Sequence, residues 1–247
     1  GLELIIPGYR VDVSRPCDVV EDILRIYGYN NVEIPTQLKS SLVIKGEEDK
    51  KYKMQNLVAE QLVGAGFREI LCNSLTKGAY YDGLESIPAE TLVGIMNPLS
   101  SDLNVMRGTL LFGGLESIVR NANRKYSNLK FFECGNLYAH DKERQDDEMP
   151  MKAYKEESYI GLWVTGNRVQ GSWAHADEKT SYYELQAHVN NIFTRVGLMP
   201  QTTVIEHSNS DLFQNALKIM TRGGKVICEL GIVNKTIQKK FDIQNEV

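Results

Sequence analysis

Four carboxylates, Asp12, Asp18, Glu21 and Asp22, cluster near the start of this chain. On a helix, residues three and four apart share a face, so Asp18 neighbours both Glu21 and Asp22, with Arg25 a turn later. Two kinds of chemistry fit this spacing. Clustered like charges favour a hard cation, and magnesium typically takes one or two carboxylates while keeping several waters. Acids at a helix N-terminus also gain about 0.3–1 kcal/mol from the macrodipole, and pairs of Glu21 and Asp22 with Arg25 add a little more, which describes a solvated face. Spacing leaves both readings open.

The other reactive side chains are dispersed. His140, His175, His188 and His207, like Cys17, Cys72, Cys134 and Cys228, show no paired spacing from which a zinc site, a redox motif or a triad can be assembled. The cysteines are expected to be reduced, and most of them to be small buried hydrophobes.

These residues need a fold to hold them, and 247 residues at 42% hydrophobic composition can bury one large core or two smaller ones. No run of about 18 apolar residues occurs, and the first residues lack the basic flank and cleavage pattern of a secretory signal. A cytoplasmic protein with no membrane segment is expected. A net charge of -4 argues against a module that grips nucleic acid unaided. The acidic run DKERQDDE, residues 141–148, reads as a solvated loop.

Along the chain, Arg15-Pro16 precedes an amphipathic helix with Val20, Ile23, Leu24 and Tyr27 as its apolar face, ended by Gly28. The run EEDKKYK opens a second helix with Met54, Leu57, Val58, Leu62 and Ala65 on one face and Gly66 as its stop. The pattern then predicts strands over 67–75 and 92–96, a turn at 97–100, and a helix over 110–125 with Leu111, Leu115, Ile118, Val119 and Ala122 inward. Gly113 and Gly114 inside that helix cost about 1 kcal/mol each relative to alanine and leave room for close packing. Strands follow at 129–138 and 159–165. Ser181 and Glu184 form a capping-box pattern, S-Y-Y-E, for a helix that stops at Gly197. A strand at 202–206, a hairpin over 216–233 turning at 222–225, and a short helix from Asn234 close the chain. Hairpins and long excursions without regular strand–helix alternation give an α+β class, an antiparallel sheet flanked by helices. Residues 1–38 are too few for a core of their own and read as the end of a small domain, with 39–247 as the main one.

Three segments carry a family likeness: RVDVSRPCDVVEDILRIYGYNNVEIP at 10–35, NPLSSDLNVMRGTLLFGGLESIVRNANRKYSNLKFFECGNLY at 97–138, and ALKIMTRGGKVICELGIVNKTIQKKFDI at 216–243. Together they resemble the bacterial phenylalanyl-tRNA synthetase β subunit. The resemblance implies a class II aminoacyl-tRNA synthetase-like core at 39–247 that stops before its last strand and helix. It makes 1–38 the C-terminal part of a small winged-helix-like α/β domain. It implies an α2β2 heterotetramer in which the α subunit binds ATP and charges tRNA(Phe), while this chain is non-catalytic. The motif 2-like strand KFFECGNLY has Phe132, Glu133 and Gly135 but no arginine at the family's catalytic position. Arg222-Gly223-Gly224 is better explained as a hairpin turn, and Arg107 as an anchor for carbonyls or carboxylates at the domain surface. In the family, a magnesium ion shared with the α subunit is assigned to acidic positions on which Asp12, Asp18, Glu21 and Asp22 fall, with the departure that Asp22 stands where glutamate is common.

Two other classes compete. One is a metal-dependent enzyme using Asp12, Asp18, Glu21 and Asp22 with His175 or His207 as base. The other is a free-standing RNA-binding module built on Arg120, Arg124, Lys125 and Lys130, or on Lys235, Lys239 and Lys240.

Overall fold

A computed structural model describes residues 3–37 and 46–247, and the chain divides into two compact units, Gly1–Lys45 and Gly46–Val247. Among the described residues of the first unit there is one α-helix, α1 (Pro16–Tyr27). Extended Arg15 and the fixed φ of Pro16 start it, and Gly28, at φ 91°, ends it with its N–H on the Leu24 carbonyl at 2.8 Å. None of its side chains is buried: Val20, Ile23 and Tyr27, expected to face inward, are exposed. So few residues cannot enclose an apolar face.

In the second unit, α2 (Glu47–Gly64) buries Val58 and Leu62 and ends where Gly66 takes φ 85°. The predicted strand 67–75 breaks into β1 (Arg68–Glu69) and β2 (Leu75–Thr76). After Ile70 gives its N–H to the Phe132 carbonyl, Cys72 gives its own to the Glu133 carboxylate, so a side chain replaces the next rung of the ladder. β2 pairs with β3 (Val105–Met106), and the strand expected at 92–96 is a single bridge from Gly94 to Val105. Helix α3 (Leu111–Ala122) buries Leu111, Phe112, Gly114, Leu115 and Ile118.

The main ribbon is β4 (Leu129–His140) with β5 (Tyr154–Thr165), antiparallel and in unbroken register from Leu129 opposite Thr165 to His140 opposite Tyr154. β5 begins before the apolar run that suggests it, because polar contacts carry that end. Asn136 bonds Glu156 and Ser158, Lys155 reaches Asp141 at 2.8 Å, and Tyr154 packs on His140. A short hairpin, β6 (Asn167–Val169) and β7 (Glu178–Lys179), follows without a sequence signal of its own. Helix α4 (Tyr182–Arg195) starts at Ser181, but Ser181 makes no side-chain cap; the Glu184 carboxylate is drawn instead to Thr180 Oγ1 and to Lys130 Nζ, 2.6 Å away. The last sheet comprises β8 (Thr203–Ser208), β9 (Phe213–Thr221) and β10 (Val226–Val233), and α5 (Lys235–Lys240) follows with Asn234 as its N-cap.

The class is α+β. The sheet departs from a single antiparallel layer: strand order is β1-β4-β5 in one piece and β10-β9-β8 in another, and β1 runs parallel to β4. The largest core cluster joins α3 to β4 and β5, with Tyr81, Phe112, Trp163 and Phe241 among its buried rings, and a second gathers α2, Phe67, Phe132 and Val164. Among the described residues, no helix is long and apolar enough to cross a membrane.

Candidate functional site

In the first unit, Arg10 lies between two of the candidate carboxylates. Its Nη2 is 2.9 Å from Asp12 Oδ2 and 2.8 Å from Asp22 Oδ2, and the hydrogen bond from Arg10 holds the Asp12 carboxyl below its ordinary range. Asp18 caps α1, accepting N–H groups from Arg15 at 2.8 Å and Ser14 at 3.1 Å, which are the main reasons its pKa is lowered. Glu21 pairs with Arg25 at 2.8 Å. Asp22, whose spacing also suggests Arg25, pairs with Arg10 instead. Each carboxylate thus has a partner within the chain, and among the described residues no three His, Cys, Asp or Glu side chains converge on a position for a metal ion. The donor type is nonetheless right for magnesium: hard carboxylate oxygens, those of Asp12 and Asp22 open to water. Arg10 would have to leave both for a cation to enter between them.

The second unit contains a cleft of about 510 Å³ lined mostly by apolar side chains, including Leu111, Leu137, Ile160, Leu162, Val189 and Leu230. It lies along the outer edges of β5 and β10, neither of which pairs with a further strand among the described residues, though Val233 at the end of β10 gives its N–H to the Val247 carbonyl at 2.9 Å. Among the described residues no lysine, arginine or histidine lines it, and its carboxylate, Glu229, accepts a hydrogen bond from Ser208 Oγ. Such a cavity cannot neutralise a triphosphate, because anionic oxygens moved out of water need opposite charge or dense hydrogen bonding.

The strongest polar constellation in the second unit is structural. Arg107, its side chain 7% exposed, places Nη1 2.6 Å from Oε1 of Glu133, which is fully buried, and its Nε donates to the Asn136 carbonyl at 2.9 Å. A Cβ at Gly135 would overlap Arg107 Nη2, so glycine is required beside the guanidinium. Arg107 anchors a carboxylate and a carbonyl as its position suggests, but in the interior and not at the surface. Next to it, burial pushes the Cys72 thiol up to about 11, which keeps it protonated. Cys134 and Cys228 are half-buried, whereas Cys17 is exposed.

The remaining candidates scatter. Arg222 and Gly223 lie in the exposed β9–β10 turn, where Gly224 takes φ 82°. His175 belongs to the β6–β7 connection and His207 to β8. Lys130 leaves the cationic cluster expected at the end of α3 and turns to Glu184. Lys240 donates to the Asp82 carbonyl at 3.2 Å.

Two family descriptions match the chain: "Phenylalanyl tRNA synthetase beta chain CLM domain" over residues 34–247 and "tRNA synthetase B5 domain" over residues 1–29. The phenylalanine–tRNA ligase beta subunit of Bacteroides fragilis is 60% identical over 247 residues, covering 100% of this chain and 30% of the relative. The same-named protein of Porphyromonas gingivalis is 46% identical over 246 residues, with the same two coverages. Among solved structures, PylSc of Desulfitobacterium hafniense, a pyrrolysyl tRNA synthetase, matches with a TM-score of 0.56 at 12% identity over 79% of this chain and 63% of that one, a likeness of fold alone. The chain spans about 30% of the length of these curated relatives.

Proposed function

Since the chain belongs to the phenylalanyl-tRNA synthetase beta-chain family, we propose that it forms a non-catalytic, synthetase-like core through which the beta subunit assembles with a catalytic alpha subunit, in an α2β2 complex, for ATP-dependent charging of tRNA(Phe) in the cytoplasm. The observation that carries the non-catalytic reading is the cleft on the β5 and β10 edges: it is large, mostly apolar, and has no cation among its described lining residues to receive phosphate. ATP then belongs to the alpha subunit. In this reading residues 1–38 end a small winged-helix-like domain and 39–247 are the core.

The test is phenylalanine-dependent exchange of pyrophosphate into ATP by purified full-length subunits. Exchange is expected from the mixture, with none above background from the beta subunit alone. Sustained exchange by contaminant-free beta subunit would overturn the reading.

Asp12, Asp18, Glu21 and Asp22 are proposed as this chain's share of a magnesium site held jointly with the alpha subunit. The hard oxygen donors and their grouping at the start of α1 support it. When bound, the cation would supply fixed positive charge at the subunit boundary. Asp12 and Asp22 would hold it by releasing Arg10, while Asp18 keeps α1 oriented through its cap. With manganese as a spectroscopic substitute, the assembled complex carrying Asp12→Asn and Asp22→Asn should bind the ion roughly tenfold or more weakly than wild type, by electron paramagnetic resonance. Unchanged affinity and stoichiometry would remove these residues from the site.

A further inference from the structure

Helix α4 packs against two sheets whose strands do not pair with each other among the described residues. Leu185, Ile192 and Val196 rest on the cluster of Val58, Leu62, Phe67, Phe132 and Val164, while Val189 joins Ile219 of β9 and Leu230 of β10. Leu185 and Val189 also line the apolar cleft of about 510 Å³. The seating of α4 therefore sets one wall of that cleft.

The polar attachment of α4 to β4 is concentrated in one helical turn. Glu184, its side chain 8% exposed, meets Lys130 Nζ at 2.6 Å and accepts from Thr180 Oγ1 at 2.8 Å. One turn later the half-buried His188 stands perpendicular to Phe67, with 4.9 Å between ring centroids, and Lys130 Nζ is 5.9 Å from the centroid of the same ring. Lys130 and His188 are thus neighbours of one buried side chain.

The charged groups that act on His188 are the Lys130 ammonium of β4 and the Glu184 carboxylate of its own helix, while α2 brings only the apolar Val58 and Leu62 to this cluster. Burial, and after it the Lys130 charge, holds the imidazole below its ordinary value near 6.5, with Glu184 opposing both. Against the burial that would raise it, hydrogen bonds from Lys130 and Thr180 hold the Glu184 carboxyl below its own ordinary range, so it stays charged while His188 titrates. A neutral imidazole leaves Glu184 to Lys130. An imidazolium would be a second cation for one carboxylate, in a place poor in water.

We propose that His188 makes the attachment of α4 acid-sensitive: a proton on its ring sets it in competition with Lys130 for Glu184 and loosens the helix from β4 and Phe67. The native site takes that proton less readily than an unfolded chain does, which fixes the sign. Stability contributed here is complete above about pH 6.5, falls as pH drops below it, and levels off once the native imidazole is protonated too. Loosening α4 moves Leu185 and Val189, and with them the cleft wall.

The test is hydrogen–deuterium exchange of the full-length alpha–beta complex, read by mass spectrometry between about pH 7.5 and about pH 5.5, on either side of the ordinary histidine range. Exchange at the His188 C2 position reports its titration, and exchange of the α4 amides, referred to the intrinsic rate at each pH, reports the helix. His188 should titrate below an exposed histidine, and Glu184→Gln should lower its midpoint further, because the carboxylate favours the charged ring. Amide protection of α4 should fall about threefold or more on acidification in wild type, and less than about twofold in His188→Gln. A His188 midpoint at or above that of an exposed histidine, a midpoint that Glu184→Gln leaves unchanged or raises, or an equal loss of α4 protection in wild type and His188→Gln would each overturn the proposal. Should His188→Gln fail to assemble, the two midpoints decide by the same criteria.

Discussion

Arg107→Ala should destabilise the synthetase-like core by about 3–5 kcal/mol, the cost of leaving a buried carboxylate without its counter-charge. Glu133 is fully buried, and Arg107 is its charged partner, at 2.6 Å. Its other oxygen, Oε2, already has no hydrogen-bond partner among the described residues, so the Cys72 N–H at 3.2 Å would be left as the main support for a full negative charge. The substitution would also release the Asn136 carbonyl. Urea denaturation of the variant and its parent reads the effect as a lower midpoint at unchanged slope. Arg107→Met combined with Glu133→Leu should recover most of the loss, because a buried ion pair replaced as a unit by apolar side chains costs little. A single variant within about 1 kcal/mol of its parent would mean that water reaches Glu133, contrary to its burial.

Gly114→Ala should cost about 3 kcal/mol, despite the gain of roughly 1 kcal/mol that alanine brings to a helix interior. A Cβ at Gly114 would fall within the indole of Trp163, and one at Gly161 would come within 2.5 Å of Cη2 of the same ring. The indole is therefore held between α3 and β5 with glycine on both sides, in a core cluster where Leu115 and Phe112 close the remaining space. It cannot tilt away from one glycine without meeting the other. Thermal or urea unfolding should show the loss, and Trp163→Leu in the same chain should make Gly114→Ala nearly neutral relative to Trp163→Leu alone. A Gly114→Ala chain as stable as its parent would show that the ring has another place to go.

Much of this was legible where the signal is local. The helices α2 and α3, the turn at Gly224 and the short helix from Asn234 can each be read within a few residues, and each forms, although Met54 on α2 and Ala122 on α3, expected on the inward faces, are exposed at the helix margins. The polar end of β5 was hidden because Tyr154 to Ser158 pair through Asn136, Asp141 and His140, partners distant in sequence. The strand at 67–75 failed for the same reason: the Glu133 side chain intercepts Cys72. At Ser181 the local pattern was present, but Lys130 competed successfully for Glu184. Among the candidate ligands, the grouping of Asp18, Glu21 and Asp22 followed from helical spacing, whereas Arg10 as the clasp between Asp12 and Asp22 did not, since it precedes the helix.

The indole lodged between two glycines also constrains the order in which this sequence could have changed. Positions 114, 161 and 163 behave as one heritable unit: a smaller side chain at 163 opens space into which either glycine could later acquire a methyl group, but the reverse succession meets a clash at its first step. The order binds in both directions: a lineage that abandoned the tryptophan and then filled a glycine would have to restore the glycine before the tryptophan could return.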